Sequence, residues 1–597
     1  MVSLFVVQIK NKNLKNGVQY NVYRGDKMKL WKYIKAYKIS ASIGFLFKIL
    51  EAALELAVPV VMADIIDTGI RNQDTAYVYQ KGILLLALGV GGYLFALICQ
   101  YYASIASQGV GTALRKDMYQ KINTFDYKNL DTLSASTLVT RISNDTNQLQ
   151  LAVAMTIRLT SRAPFLIIGS LIMAFTISGS LAFIFVIGSI LLALIMLIIT
   201  VVSMPYFHRI QKKLDGISRI ARENLQGIRV IRAFSRQKQE KEKFYDETNK
   251  QQDIQIKVGK IQALSNPLTY CIINLAIILI VYQGGIQVQI GNLTQGEIIA
   301  LVNYMNQILL AIIVFTNVLT IYNKAGASYT RVVEVLETNT TIVESDKAFT
   351  WHEDVPNIIY DKVHFAYEGQ NVLKDISFTL NPGETLGIIG GTGAGKTTLV
   401  NLLGRFYDAQ SGSIAIAGSN IKDIPLKQLR QQIAYVHQQA VLVSGTIREN
   451  LMLGNEHVTD EEIYQALDIA QATEFIESLP NGLDTMIVQG GKNVSGGQRQ
   501  RLTIARALLK KPKILILDNS DSALDNMTSV ALKKALQTLE HMSTIIISQR
   551  TFALEHANRI LVLYHGDVVG YASHQELLDT CEVYQEIYYS QQVKEDA

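Results

Sequence analysis

The 597-residue sequence predicts two parts in tandem: a membrane all-α domain of six transmembrane helices extended into the cytosol, then a cytosolic α/β domain of P-loop type. Three observations predict it. Hydrophobic residues make up 49% of the chain and charged residues 18%, against about 25% charged in an average soluble domain. Six apolar runs of bilayer-spanning length crowd the first half. The second half carries Gly390-Gly391-Thr392-Gly393-Ala394-Gly395-Lys396-Thr397, which fits G-x-x-x-x-G-K-[ST], between a strand-like run (Thr385 to Ile389) and a helix-like one (Leu399 to Leu403).

The apolar runs lie at 39–65, 82–105, 154–177, 181–204, 268–290 and 298–322. Long polar segments separate the second run from the third and the fourth from the fifth, while the other connections are short. Basic residues follow the same alternation. Lys29, Lys32, Lys35 and Lys38 precede the first run; Arg115, Lys116, Lys121, Lys128 and Arg141 fall in the first long segment; Arg209, Lys212, Lys213, Arg229, Arg232 and Arg236 fall in the second. The short connections are nearly bare of them, Arg71 excepted. The positive-inside rule therefore puts the N-terminus, both long segments and the C-terminal half in the cytosol, in a multi-pass protein of the cell membrane. Arg158 and Arg162 stand at the start of the third run, so its apolar core begins a little later.

The long segments have helical periodicity and are too long to be structureless. The membrane helices are expected to continue through them, each bending at a short transverse element, near 125–136 and near 221–234. Glu51 and Glu55, at i and i+4 of the first run, share a helix face. Intramembrane carboxylates are costly and face a cavity or a partner; a substrate- or cation-facing role and hydrogen bonding to neighbouring helices both fit.

A net charge of +5 is small for this length and gives no case for nucleic-acid binding. Cys99, Cys271 and Cys581 lie far apart, with neither metal-site nor disulfide spacing. The first residues are apolar but lack a basic leader and a cleavage site. Met28 stands as a second plausible start, so 1–27 is expected to be an extension outside the fold. The expected division is 28–325 for the membrane domain with its two cytosolic transverse segments, 326–351 for a linker and 352–597 for the α/β domain.

In the P-loop, backbone N–H groups cradle phosphates, glycine lets the backbone approach them, and the helix N-terminus adds its positive end. Gly390, Thr392, Gly393, Gly395 and Thr398 belong to that cradle. Lys396 reaches the β- and γ-phosphates, and the Thr397 hydroxyl suits Mg²⁺. This half binds a nucleoside triphosphate. Tyr367, expected ahead of the first strands, could stack on a base. Gln438 follows a strand and could ligate Mg²⁺ or position water. Ile514 to Leu517 form an apolar strand ending in Asp518, suited to hold Mg²⁺. Ser495-Gly496-Gly497-Gln498 precede the helix-like run 499–509 and make a second anion-binding cap. With one phosphate loop already present, that second cap suggests a nucleotide held by another copy or a partner. Ser522-Ala523-Leu524-Asp525 follow.

This order of motifs, downstream of six spans and of the stretch 223–234, resembles the exporter half-transporters of the ATP-binding cassette (ABC) family, over nearly the whole chain beyond residue 28. The resemblance implies two such chains, with ATP and Mg²⁺ lying between the Walker A loop of one and the signature of the other. Transverse elements then act as coupling helices. Carried over by motif, Tyr367 stacks adenine, residues 390–398 hold phosphates, Gln438 is the Q-loop, Asp518 ends Walker B, and Ser495, Gly496, Gly497 and Gln498 are a signature facing the partner's ATP.

The departures are as informative as the matches. Where the family usually has a Glu after the Walker B Asp, this chain has Asn519; where it has the switch His, this chain has Gln549; and Gln489 replaces a frequent Glu. Asn519 cannot accept a proton from water, and Gln549 cannot bring positive charge to a phosphate. A general base contributes typically about 10²–10⁴-fold. The chain is therefore expected to bind ATP, hydrolyse it poorly, and complete the competent site of a different half-transporter, in the manner of bacterial heterodimeric multidrug exporters moving small amphipathic molecules. A non-pumping regulatory subunit and a lipid or peptide exporter are the rival readings.

Overall fold

The computed structural model describes residues 29–367, 369–539 and 542–592. The expected extension 1–27 lies outside them. By its contacts the chain divides into two compact units. One comprises residues up to Thr124 with Leu133–Thr338; the other comprises Phe125–Thr132 and the chain from Asn339 on.

The first unit is helical throughout. Helix α1 (Lys38–Asp64) is followed by α2 (Thr75–Ile122), and a short α3 (Tyr127–Leu133) precedes α4 (Ala135–Ile177). Next come α5 (Gly179–Gln226), a short α6 (Ile228–Ala233), α7 (Gln237–Ile290) and α8 (Gln295–Glu337). Among the described residues, α2, α4, α5, α7 and α8 are long and apolar enough to cross a membrane. The expected first span is α1, whose 27 residues give about 40 Å of helix. Lys48, Glu51 and Glu55 lower its apolarity. The breaks at α3 and α6 fall where the transverse segments were expected, and α6 buries no side chain.

The core of this unit is a seam between α1, α4, α5, α7 and α8, centred on Phe185, Tyr304 and Met305. At the crossing of α8 and α1, the Tyr304 hydroxyl donates to the Leu56 carbonyl at 2.7 Å and Gln307 to the Glu55 carbonyl at 3.2 Å. Gly296 permits the close approach of the two helices, because a Cβ there would stand 2.4 Å from the Ala63 carbonyl oxygen. Farther along α8, buried Asp145 accepts from Ser328 at 2.9 Å and from Arg331 Nε at 2.7 Å. The helix runs unbroken to Glu337, so 326–337, expected as part of a linker, is helical continuation of this unit.

Both glutamates of α1 are paired. Lys48 Nζ lies 2.7 Å from Glu51, and Arg162 Nη2 lies 2.7 Å from Glu55. Cations of the chain itself thus satisfy both carboxylates, which favours the helix-packing role over capture of a foreign cation.

The second unit is α/β. A small antiparallel sheet has the order β2 (Gln370–Leu380), β1 (Ile358–Tyr367), β4 (Ser411–Ile416) and the two-residue strand Ser419–Asn420. Strands of the larger sheet are β3 (Thr385–Gly390), β5 (Ile433–Val436), β6 (Ile514–Asp518), β7 (Ser543–Ile547), β8 (Arg559–Tyr564) and β9 (Asp567–Ala572). They lie in the order β9-β8-β3-β7-β6-β5, parallel except for β9. Ile, Leu and Val dominate the central strands β6, β7 and β8, as a sheet covered on both faces requires.

Candidate functional site

Parallel strands deliver all their C-terminal ends to one sheet edge, where α/β proteins bind ligands. In β7, Ile547 registers with Ile388 of β3 on one side and with Asp518 of β6 on the other. The loop after β3, the residues after β7 and the carboxylate ending β6 therefore converge. The backbone continues the pattern: the Ser548 N–H donates to the Ile388 carbonyl at 3.2 Å and the Asn519 N–H to the Ile547 carbonyl at 2.9 Å. One edge thus gathers Gly390 to Thr398, Asp518, Asn519 and Gln549.

The glycine loop ends at α9 (Lys396–Leu403), a turn earlier than the apolar run alone suggested. Gly395 has φ +100°, and a Cβ there would lie 2.7 Å from Leu373 Cδ2. Gly393 has φ +82°. Thr392 and Thr397 are exposed and Thr398 is buried. The Lys396 ammonium folds back on the loop, donating to the carbonyls of Gly390 at 2.8 Å and Gly391 at 2.9 Å. Burial holds its pKa below the usual lysine range.

Asp518 is 2% exposed. Burial pushes its carboxyl above the ordinary aspartate value, opposed by hydrogen bonds from Thr397 and Tyr435 and by the charge of Lys396. A loop shaped for phosphates, a lysine inside it, and a carboxylate beside the Thr397 hydroxyl form a donor set that fits a Mg²⁺-nucleotide.

Asn519 adopts the left-handed region, φ 52° and ψ 30°, which Asn tolerates better than most residues. Gln549 is exposed, and its carbonyl accepts from Gln591 Nε2 at 2.8 Å. Gln438 lies two residues beyond β5 and is also exposed. Tyr367 is the last residue of β1 rather than a residue ahead of the strands. Its ring packs edge-on with Phe365 at 4.8 Å and with Tyr407 at 5.3 Å.

Ser495 caps α10 (Gly496–Leu509), accepting from the Gln498 N–H at 3.2 Å, while Gln498 Oε1 accepts from the Ser495 N–H at 2.8 Å. This reciprocal box begins the helix at Gly496, three residues before the expected 499, and leaves Ser495 and Gly496 exposed. Asp525 caps α11 (Asn526–Gln537) through Thr528 at 2.9 Å.

Several residues of the site had no motif to announce them. The Tyr435 hydroxyl donates to Asp518 Oδ2 at 3.0 Å, and the Ser548 hydroxyl donates to buried Asp521 at 2.7 Å. Within the same unit, the transverse segment docks through Tyr127, stacked on Phe406 at 4.4 Å with the rings 3° from parallel. Tyr407 donates to Asp131, and Asp126 accepts from the Thr341 hydroxyl at 2.7 Å. The aromatic density of Phe406-Tyr407 was the available signal; their partner Tyr127, far upstream in the chain, was not.

The family model of the ABC transporter transmembrane region matches residues 42–312, and that described as ABC transporter matches residues 373–522. The chain belongs to the ABC transporters. This ABC half-transporter is 35% identical over 565 residues to the uncharacterized ABC transporter ATP-binding protein YfiB of Bacillus subtilis (strain 168), covering 94% of this chain and 98% of the relative. An ATP-dependent lipid A-core flippase of Desulfotalea psychrophila is 33% identical over 579 residues, covering 94% and 98%. A bacterial Atm1-family ABC exporter solved with ATP bound shares the fold, with a TM-score of 0.77 at 22% identity, covering 95% of this chain and 99% of that one. The ABC transporter is thus a multi-pass membrane protein of exporter architecture, with an ATP-binding domain that serves ATPase-coupled transport.

Proposed function

We propose that this ABC half-transporter is the poorly hydrolysing half of a heterodimeric exporter of small amphipathic molecules. The observation that carries the reading is the pairing of Asn519 directly after Asp518 with Gln549 after β7, on the same sheet edge as an intact phosphate loop. Mg²⁺-ATP, when bound here, would supply a phosphoanhydride that this site leaves largely uncleaved, the driving cleavage falling to the partner's site. Lys396 and the loop N–H groups would bind its phosphates; Thr397, Asp518 and Gln438 would hold the metal; Tyr367 would support the adenine. Asn519 orients water through a hydrogen bond and leaves the proton where it is. Bound ATP then stays as a clamp.

The box-capped Ser495-Gly496-Gly497-Gln498 turn, exposed at Ser495 and Gly496, is the part lent to the partner. The N–H groups of Gly496 and Gly497, which the box does not use, and the Ser495 hydroxyl would serve a nucleotide gripped by the second half-transporter, which keeps the Glu and His that this chain lacks. Stacking of Tyr127 on Phe406 supports a mechanical link from the ATP-binding unit to the transverse element. The reading predicts that the purified chain alone has little ATPase activity and that co-purification with a half-transporter bearing Glu and His restores it. High turnover by the chain alone refutes it. Likeness to the lipid A-core flippase favours a lipid-like substrate as the second reading; transport of lipid rather than drug-like amphiphiles by reconstituted pairs decides between them.

A further inference from the structure

We propose that the membrane unit holds a binding site for the negatively charged head of an amphiphile, built around Arg158. Four observations within that unit converge on it. The first is a charge imbalance. Lys48 is paired with Glu51 and Arg162 with Glu55, but among the described residues Arg158 has no carboxylate partner. Its Nη2 donates to the Ser104 hydroxyl at 2.8 Å, and its Nε is buried without a hydrogen-bond partner. A buried guanidinium nitrogen left without an acceptor is costly and marks a place for one.

The second is the space beside it. A cavity of about 310 Å³ opens between α2 and α4, lined by Arg158 together with Ser104, Ser107, Gln108, Asn147 and Gln150. No acid lines it, and its hydroxyls and amides can donate to an anion. Ligand pockets span roughly 300–1,000 Å³, so this one admits a phosphate-sized head and leaves an attached chain outside.

The third is a path for that chain. Val90, Leu94, Leu97 and Tyr101 of α2 are all about half exposed or more, and their spacing continues into Ser104 and Gln108 on the same helix face. An apolar stripe thus ends in a cationic polar cavity. The fourth is depth. From Arg158 to Ile177, where α4 ends, the helix rises about 29 Å, one hydrocarbon thickness. Arg158 therefore sits at the head-group level of the cytosolic leaflet, where basic pockets between helices take anionic heads. A π-helical turn, Thr156–Thr160, widens α4 at that level, and such turns recur at functional sites.

The ligand comes from the inner leaflet and is an anionic amphiphile such as a phospholipid. This narrows the amphipathic substrate proposed above and rests on that reading for calling the ligand cargo. The full-length chain in detergent, offered phosphatidylglycerol or phosphatidylcholine and examined by native mass spectrometry, tests the site itself. The anionic lipid is retained about tenfold better, the scale of one charge-assisted contact. R158Q abolishes the preference and R158K preserves most of it. Q108E, a near-isosteric change on the exposed rim, also abolishes it and decides the matter if R158Q fails to fold. Equal retention of both lipids, an unchanged preference in R158Q or Q108E, or displacement of the lipid by inorganic phosphate at the same concentration overturns the site. ATP-driven movement of labelled phosphatidylglycerol by the reconstituted pair tests the cargo assignment separately: lost retention with transport intact defeats the site, and retention without transport defeats the cargo reading.

Discussion

Replacing Asn519 by Glu restores a proton acceptor to the sheet edge, and the structure sets both what this costs and what it gains. The residue lies at φ 52°, ψ 30°, with its N–H anchored on the Ile547 carbonyl at 2.9 Å, so the backbone cannot relax without breaking the junction of β6 and β7. The left-handed region costs a side chain with a Cβ roughly 1–2 kcal/mol, and Asn escapes part of that. Glu is therefore expected to destabilise the ATP-binding unit by on the order of 1 kcal/mol, a fall in Tm of about 2–4 °C for a unit of this size. A general base is worth about 10²–10⁴-fold. With Gln549 still unable to bring charge to the γ-phosphate, the low end applies, about 10²-fold, or about 2.7 kcal/mol of barrier. The gain exceeds the cost. The assay is single-turnover ATP cleavage by the assembled pair, with the partner's own base removed and rates normalised to bound nucleotide. A rise below about threefold with nucleotide fully bound would show that the missing base is not what limits this site, and the asymmetry argument would fall with it.

Three further outcomes follow from particular contacts. Ser495→Ala removes the cap of α10, costing about 1 kcal/mol; ATP turnover by the pair falls while nucleotide binding to this chain's own Walker site, followed with a fluorescent ATP analogue, is unchanged. Tyr127→Ala deletes the 4.4 Å stack on Phe406, about 0.5–1.5 kcal/mol beyond its buried area; substrate stimulation of ATPase activity drops more than basal activity. Burial pushes Asp126 up, but hydrogen bonds from the Thr341 hydroxyl and from the N–H groups of Asn129, Thr341 and Ile342 outweigh it and hold its carboxyl below the ordinary value. Its contribution is thus complete above about pH 4 and vanishes as the pH falls through the depressed value; the Tm difference between wild type and D126N should shrink over that acid limb and stay constant above it.

Much of the ATP-binding site was legible in the chain because its chemistry is local. Gly393, Gly395, Lys396 and Thr397 are neighbours whose spacing already specifies a loop entering a helix, and the run ending in Asp518 reads as a buried strand. Span positions were legible for the same reason, since about 20 apolar residues suffice to mark one. Where local reading misjudged, a longer-range constraint won. The linker expected from residue 326 is helix to Glu337, because packing of the Ser328 and Arg331 side chains on Asp145 keeps that turn ordered. Tyr367 ends β1 because its pairing with Gln370 closes a hairpin.

What the sequence by itself determined is therefore the list of parts: spans, orientation, phosphate loop, capped signature turn, and the absence of Glu and His at 519 and 549. The tertiary structure alone decided who touches whom: Tyr435 on Asp518, Tyr127 on Phe406, Arg162 on Glu55, and Arg158 left without a carboxylate among the described residues. The physical reason is that motifs are fixed by covalent spacing, whereas pairing across hundreds of residues is fixed by strand register and helix packing, which no stretch of chain carries on its own.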